Sequence, residues 1–372
     1  MSDEAPQPLH EFTDGARAPP TPPLSPPLLA LEDALRHPPP VPQHSDDVDW
    51  RAALASQIDM IKGIEASFES LDVSQIPFND WPSARLPPES VPFVAEVCCG
   101  TARLTQTFIK AGYHALGIDC ARNRHDVCGP LALLDLTEPE ERDNAWQLLQ
   151  DPTLAHAHMA PPCGTASRAR ERPLPRHLLQ GLAPRPLRTE AEPWGLLDRT
   201  PWECMKTFRA NLVFLFCFHV ALNCCLRGVG WSIENPANSL LWHTGLMRIL
   251  LSMTCCVDVV FDNCMHGGTR PKTQRIRTNV SELLRIARRC DGQHWHEDWG
   301  LVRQRGRATF ATALETAYTY ELCQAIVQAV CRRLRVLQVD AQLKKQELRL
   351  RLLESRVRTA AAAGRQPTRD TG

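Results

Sequence analysis

A cysteine stands directly behind two prolines in HMAPPCGTASRARERP, residues 158–173, where an apolar run ends. Proline fixes φ and offers no backbone N–H, so Pro161 and Pro162 should carry Cys163 off a strand onto a stiff loop. A rigidly held thiol suits a nucleophile once its pKa is lowered; a bystander in a turn is the plain alternative in a chain with 15 cysteines. Arg168, Arg170 and Arg172 follow and can lower that pKa or bind phosphate, or simply form an exposed basic loop. A second stretch, IENPANSLLW (233–242), sets Glu234 and Asn235 at the end of another apolar run, which offers an acid to act beside the thiol.

A third stretch, EVCCGTARL, has Glu96 followed by Gly100 and the small Thr101 and Ala102, which would let backbone approach a ligand closely; a plain strand-to-helix turn fits equally. Asp119 lies 23 residues beyond Glu96, where an acid can accept hydrogen bonds from both ribose hydroxyls, so the pair favours a nucleoside ligand. Asp135 can accept from an adenine amino group or cap the helix from Thr137 onward.

These residues need a scaffold that brings them to one edge. From Pro92, short apolar runs alternate with amphipathic stretches, the pattern of a doubly wound α/β sheet whose ligands sit beyond the strands' carboxyl ends. The expected strands are 92–98, 114–119, 131–136, 154–160, 229–233, 255–262 and one near 275–280. Helices are expected over RLTQTFIKAGY, EPEERDNAWQLLQD, a long segment to about Leu226, and SLLWHTGLMRILL. Four domains follow: a Pro-rich acidic arm (1–45), a helical segment and linker (46–88), the α/β domain (89–334) and a basic helical tail with a frayed end (335–372). The arm holds twelve prolines by Pro42 and too little apolar surface to offset ordering entropy, so it should be disordered. In 49–71, Ala53, Ile58, Ile61 and Ile64 fall on one side of a helix that would brace the fold or bind a partner.

Lys+Arg and Asp+Glu both number 42, so net charge does not point to nucleic acid. The tail from Cys331 to Arg358 carries nine Lys/Arg against three acidic residues, suiting a solvated helix, a protein partner or a nucleic-acid contact. The apolar run at 212–226 is shorter than the roughly 20 residues of a membrane span and carries His219 and Asn223, which reads as a core helix with no membrane partner. With no apolar leader ahead of them, the cysteines read as reduced and the protein as intracellular.

Taken in order, these pieces resemble the cytosine-5 DNA methyltransferases, in the divergent form of phage and retroelement relatives, over about residues 92–330. Glu96 and Gly100 match the family's cofactor motif, with Cys98 in place of Phe and Ala102 in place of the second Gly. Pro162-Cys163 matches the Pro-Cys motif, with Gly164 where Gln is usual; Glu234-Asn235 matches the Glu-Asn-Val motif, with Pro236 for Val. TQRIRT (273–278) is similar to the Gln-x-Arg-x-Arg motif shortened by one residue, and GGTRPKT (267–273) is an alternative match. The resemblance implies a mostly parallel seven-stranded sheet of the S-adenosylmethionine-dependent methyltransferase type, and methyl transfer to cytosine C5 in DNA. RNA as substrate, or a degenerate fold that only binds nucleic acid, are the alternatives. Cys163, Glu234, Arg275 and Arg277 are the implied catalytic residues. Glu96, Cys98, Gly100, Asp119, Asp135 and Pro161 would line the S-adenosylmethionine site, and Arg168, Arg170 and Asn235 the substrate site. A DNA substrate implies the nucleus.

CDGQHWHEDWG adds Cys290, His294 and His296, which with Cys264 or His266 can supply zinc ligands. The Cys-x3-His-x-His spacing is unusual, and exposed loop histidines are the preferred reading, so no metal is assigned.

Overall fold

The computed structural model describes residues 48–69, 91–171, 184–253, 256–304 and 307–336, with isolated positions 29, 33, 346 and 351. The arm (1–45) and the basic stretch beyond 336 lie outside the described residues, apart from those isolated positions, as do residues 70–90.

Helix α1 spans Trp50–Glu69. Then follow β1 (Phe93–Val97), α2 (Arg103–Lys110), β2 (His114–Asp119), β3 (Leu131–Leu133), α3 (Pro139–Leu149), β4 (Leu154–Met159) and α4 (Pro201–Arg227). The chain continues through β5 (Gly230–Pro236), α5 (Gly245–Ser252), β6 (Val257–Asp262), β7 (Thr273–Thr278) and a hairpin of β8 (Leu301–Gln304) with β9 (Arg307–Phe310). A helix over residues 320–336, α6, ends the described chain.

Seven strands form one sheet in the order β3-β2-β1-β4-β5-β7-β6. The strands run parallel except β7, which lies antiparallel between β5 and β6. The order reverses between β1 and β4, so the loops leaving those strands diverge and open a crevice at their carboxyl ends.

One face of the sheet is covered by α1, α3, α4 and α5, the other by α2 and α6. Helix α4 starts at a Thr200/Glu203 capping box with Pro201 at its first position and stops at Gly228 in the left-handed conformation. By length and composition it passes for a membrane span, yet residues 210–222 are all buried inside the protein. Helix α1 is a brace: Leu54, Ile58, Ile61 and Phe68 are buried with α4 and α5, and Glu65 accepts from Trp194 Nε1 (2.9 Å) and Leu246 N (3.0 Å). Its apolar face is used within the fold. Ala53 is half-buried and packs against the same core, with Leu54 fully buried beside it.

Three expected bounds shift. Strand β5 extends to Pro236 because β7 pairs with it that far, so Glu234 and Asn235 lie inside the strand rather than after it. SLLWHTGLMRILL breaks into a 3-10 turn and α5, because Thr244 accepts from Met247 N and starts a new helix. β3 stops at Leu133, two residues short of Asp135.

Candidate functional site

The ends of β1, β2, β4 and β5 line a cavity of about 910 Å³, in the upper range for a small-molecule site. Glu96, Cys98, Gly100, Asp119, Pro161, Cys163, Arg170, Glu234 and Asn235 all line it. Cys163 opens a 3-10 turn, Cys163–Thr165, directly after Pro162. That turn is fixed from beneath. The fully buried Arg188 donates to Thr165 Oγ1 through Nε (3.2 Å) and Nη2 (3.0 Å) and to Asn211 Oδ1 (2.7 Å), while burial lowers its pKa to about 9. Arg170 Nε donates to Gly164 O (2.6 Å), so this arginine braces the turn as well as lining the cavity.

Burial pushes the Cys163 thiol above its ordinary pKa; Lys272 draws it down and Glu234 pushes it up. The same burial raises Glu234, against Lys272 and a hydrogen bond from Tyr318. Tyr318 OH donates to Glu234 Oε2 (3.0 Å), and His158 Nε2 lies 2.9 Å from that hydroxyl. The chain continues from His158 Nδ1 to Ser232 Oγ (2.7 Å) and on to His156 Nε2 (3.0 Å). Burial lowers both histidines to about 3, so both are neutral at physiological pH. With Tyr318 donating to the carboxylate, His158 must carry its proton on Nε2 and accept from Ser232 on Nδ1.

Asn235 Nδ2 donates to Pro161 O (2.8 Å), tying β5 to the Pro-Pro-Cys loop. Two acceptors remain free: Glu234 Oε1 and Asn235 Oδ1 are buried with no hydrogen-bond partner among the described residues. Buried acceptors left without donors are costly.

Toward β1 the backbone turns through positive φ at Cys98 (57°), Gly100 (55°) and Ala102 (52°). Asp119 Oδ2 accepts from Gly100 N and Oδ1 from Cys120 N, both at 2.8 Å, leaving one lone pair on each oxygen for a ligand. Ala102 heads α2 without a side-chain cap, and Glu96 supplies the missing acceptor: Oε2 takes Thr105 N (2.7 Å) and Thr105 Oγ1 (2.5 Å). Its carboxyl is buried and raised to about 7, so its first task is structural.

Four expected site residues lie elsewhere. Arg275 and Arg277 face the α5 side of the sheet, where Arg277 pairs with Asp258 and Met247 O; their guanidiniums sit 5.3 and 5.1 Å from the Trp242 ring centre. Strand alternation puts both on the face opposite Glu234, whose register partner is Ile276; Asn235 shares their face and meets the cavity at its edge, beside Pro161. Asp135 caps Thr137 (N at 3.0 Å, Oγ1 at 2.8 Å) and pairs with Arg122. Arg168 pairs with Glu171 and Glu190 on the surface. The basic residue that does reach Cys163 and Glu234 is Lys272, from the alternative GGTRPKT match. Tyr318 and Arg188 carried no signal in the sequence: each lies far along the chain from the residue it holds. Cys290, His294 and His296 do come together, with Cys264, away from this cavity; His266 instead bonds Ile286 O (2.9 Å).

No family model and no curated protein matches the chain. Among solved structures, a mutant of Spodoptera frugiperda DNMT2 is similar over 50% of this chain and 49% of that one, at 12% identity and a TM-score of 0.28. That likeness, about half of either chain, carries no argument by itself. The seven-stranded, mostly parallel sheet is consistent with a methyltransferase-like fold.

Proposed function

We propose that this protein transfers a methyl group from S-adenosylmethionine to C5 of cytosine in DNA. The observation that carries the reading is the placement of Cys163, Glu234 and Asn235 around one cavity. The cytosine edge presents an exocyclic amine and, once N3 is protonated, an N3–H, donors that suit a carboxylate such as Glu234. Attack of the Cys163 thiolate on C6 forms the S–C6 bond and makes C5 nucleophilic, while Glu234 neutralises charge developing at N3. S-adenosylmethionine, when bound, would supply an electrophilic methyl on a sulfonium, whose transfer to C5 breaks the S–CH3 bond and leaves S-adenosylhomocysteine. Loss of the C5 proton then expels Cys163 by breaking S–C6.

The cofactor's fit rests on Gly100 and Asp119. An added Cβ at Gly100 would already touch the His125 ring at 3.5 Å, so a residue without a side chain keeps the backbone open to a ligand beside the Asp119 lone pairs. Lys272 favours the thiolate by charge, and the Tyr318 hydroxyl holds Glu234 in place. The base must leave a duplex to enter such a cavity. A nuclear location follows from the proposed substrate.

The test is transfer of labelled methyl to DNA and, in parallel, to RNA. Wild type should label DNA, and Cys163→Ser and Glu234→Ala should not; full activity in Cys163→Ser would remove the nucleophile from the mechanism. Labelling of RNA alone would change the substrate and leave the chemistry standing.

A further inference from the structure

After β6 the chain makes a 3-10 turn, Asn263–His266, and after a second such turn at Ser281–Ile286 it runs through residues 287–300 without helix or strand. None of residues 287–300 is buried, so no apolar core holds this segment in shape. Its order has another source. Cys264 Sγ, Cys290 Sγ and one imidazole nitrogen each from His294 and His296 all lie within 4.8 Å of one another. Cys290 Sγ is 3.6 Å from His296 Nε2 and 3.9 Å from His294 Nε2, and the two Nε2 atoms are 2.9 Å apart. A tetrahedron with zinc–sulfur and zinc–nitrogen bonds of ordinary length has edges of about 3.3–3.8 Å, close to these separations.

We propose that Cys264, Cys290, His294 and His296 form a structural zinc site. Two thiolates and two imidazoles make a closed, four-ligand set with no position left for substrate, which is the donor set of a structural rather than a catalytic zinc.

The surroundings are built for ligation. His294 Nδ1 lies 3.5 Å from Asp291 Oδ1, which directs that proton to the carboxylate and frees Nε2 for metal. Gly292 N donates to Cys290 Sγ (3.3 Å), and the Cys290 backbone is pinned by its N–H to Asp262 Oδ2 (2.8 Å). Asp262 is itself held by Thr273 and Arg289. On binding, each thiol releases its proton to solvent and gives a lone pair to the ion. The zinc thereby clips the 287–300 segment to the end of β6. The same segment brings Trp299 and Gly300 to the wall of the main cavity, so the clip shapes that wall without touching its chemistry.

The experiment uses the full chain, reduced and reconstituted with Zn²⁺, then with Co²⁺. One zinc per chain should survive desalting. The cobalt form should show tetrahedral d–d bands with a thiolate charge-transfer band. Cys264→Ser and Cys290→Ser should each lose stoichiometric zinc, while Cys128→Ser, an exposed thiol outside the cluster, should keep it. Asp291→Ala should bind about 10–100-fold more weakly through loss of the imidazole's orienting partner. Wild type that holds only trace metal, a Cys264–Cys290 disulfide in its place, or stoichiometric zinc in either cysteine variant would overturn the proposal. Should a cysteine variant fail to fold, the wild-type cobalt spectrum decides alone: octahedral bands without thiolate charge transfer count against the site.

Discussion

Replacing Glu96 with Gln should abolish a specific pH dependence of stability. In the folded protein the carboxyl is 3% exposed, and burial raises its pKa from 4.5 to about 7 despite the two hydrogen bonds it accepts from Thr105. Between those values the folded state holds a proton that the unfolded chain has released. The stability linked to this group is therefore fully present below pH 4.5 and lost as pH rises through 7. Each pKa unit corresponds to about 1.4 kcal/mol, so the whole shift is worth about 3 kcal/mol. Glutamine keeps an acceptor for Thr105 but cannot ionise, so any offset it introduces is constant with pH. Urea unfolding of both proteins from pH 4.5 to 8 isolates the effect: the wild type should lose about 3 kcal/mol relative to Glu96→Gln over that range. Parallel pH profiles, or a wild type that gains on the variant as pH rises, would refute the reasoning.

Three further outcomes follow from the site. Alkylation of Cys163 by iodoacetamide, followed by mass spectrometry of its peptide, should accelerate with pH beyond 9, because burial raises the thiol. Glu234→Gln should speed it at a given pH and Lys272→Ala slow it; a plateau near pH 6 would contradict the raised pKa. Tyr318→Phe strips a partner from both Glu234 and His158, so the unfolding midpoint should fall by about 2 kcal/mol in stability terms, and Glu234 should titrate higher still. Arg277→Met should cost about 3 kcal/mol by leaving Asp258 without its main partner, and Asp258→Leu in the same chain should recover much of it. A variant that keeps its stability yet loses methyl transfer would restore Arg277 to the catalytic set.

The α/β class, most strand positions and the long buried helix were legible because hydrophobic periodicity reports local structure and burial directly. The two prolines likewise announced the turn that carries Cys163. The positions of Arg275 and Arg277 were not legible because motif similarity fixes neither the register of β7 nor the face its side chains take. The closeness of Cys264 to Cys290, His294 and His296 was not legible, because Cys264 lies 26 residues before Cys290 and only the fold closes that gap.

By itself the sequence determined the alternating elements, the rigid placement of Cys163 and the pairing of Glu96 and Asp119 with the ends of β1 and β2. All of these depend on neighbours within a few residues. Tertiary structure alone decided which side chains share a cavity. It brought Lys272 and Tyr318 to Glu234, seated Arg188 under the Cys163 turn, and set Glu96 Oε2 on the first turn of α2. Those contacts join residues far apart in the chain, and their pKa values follow from burial, a property no local pattern specifies.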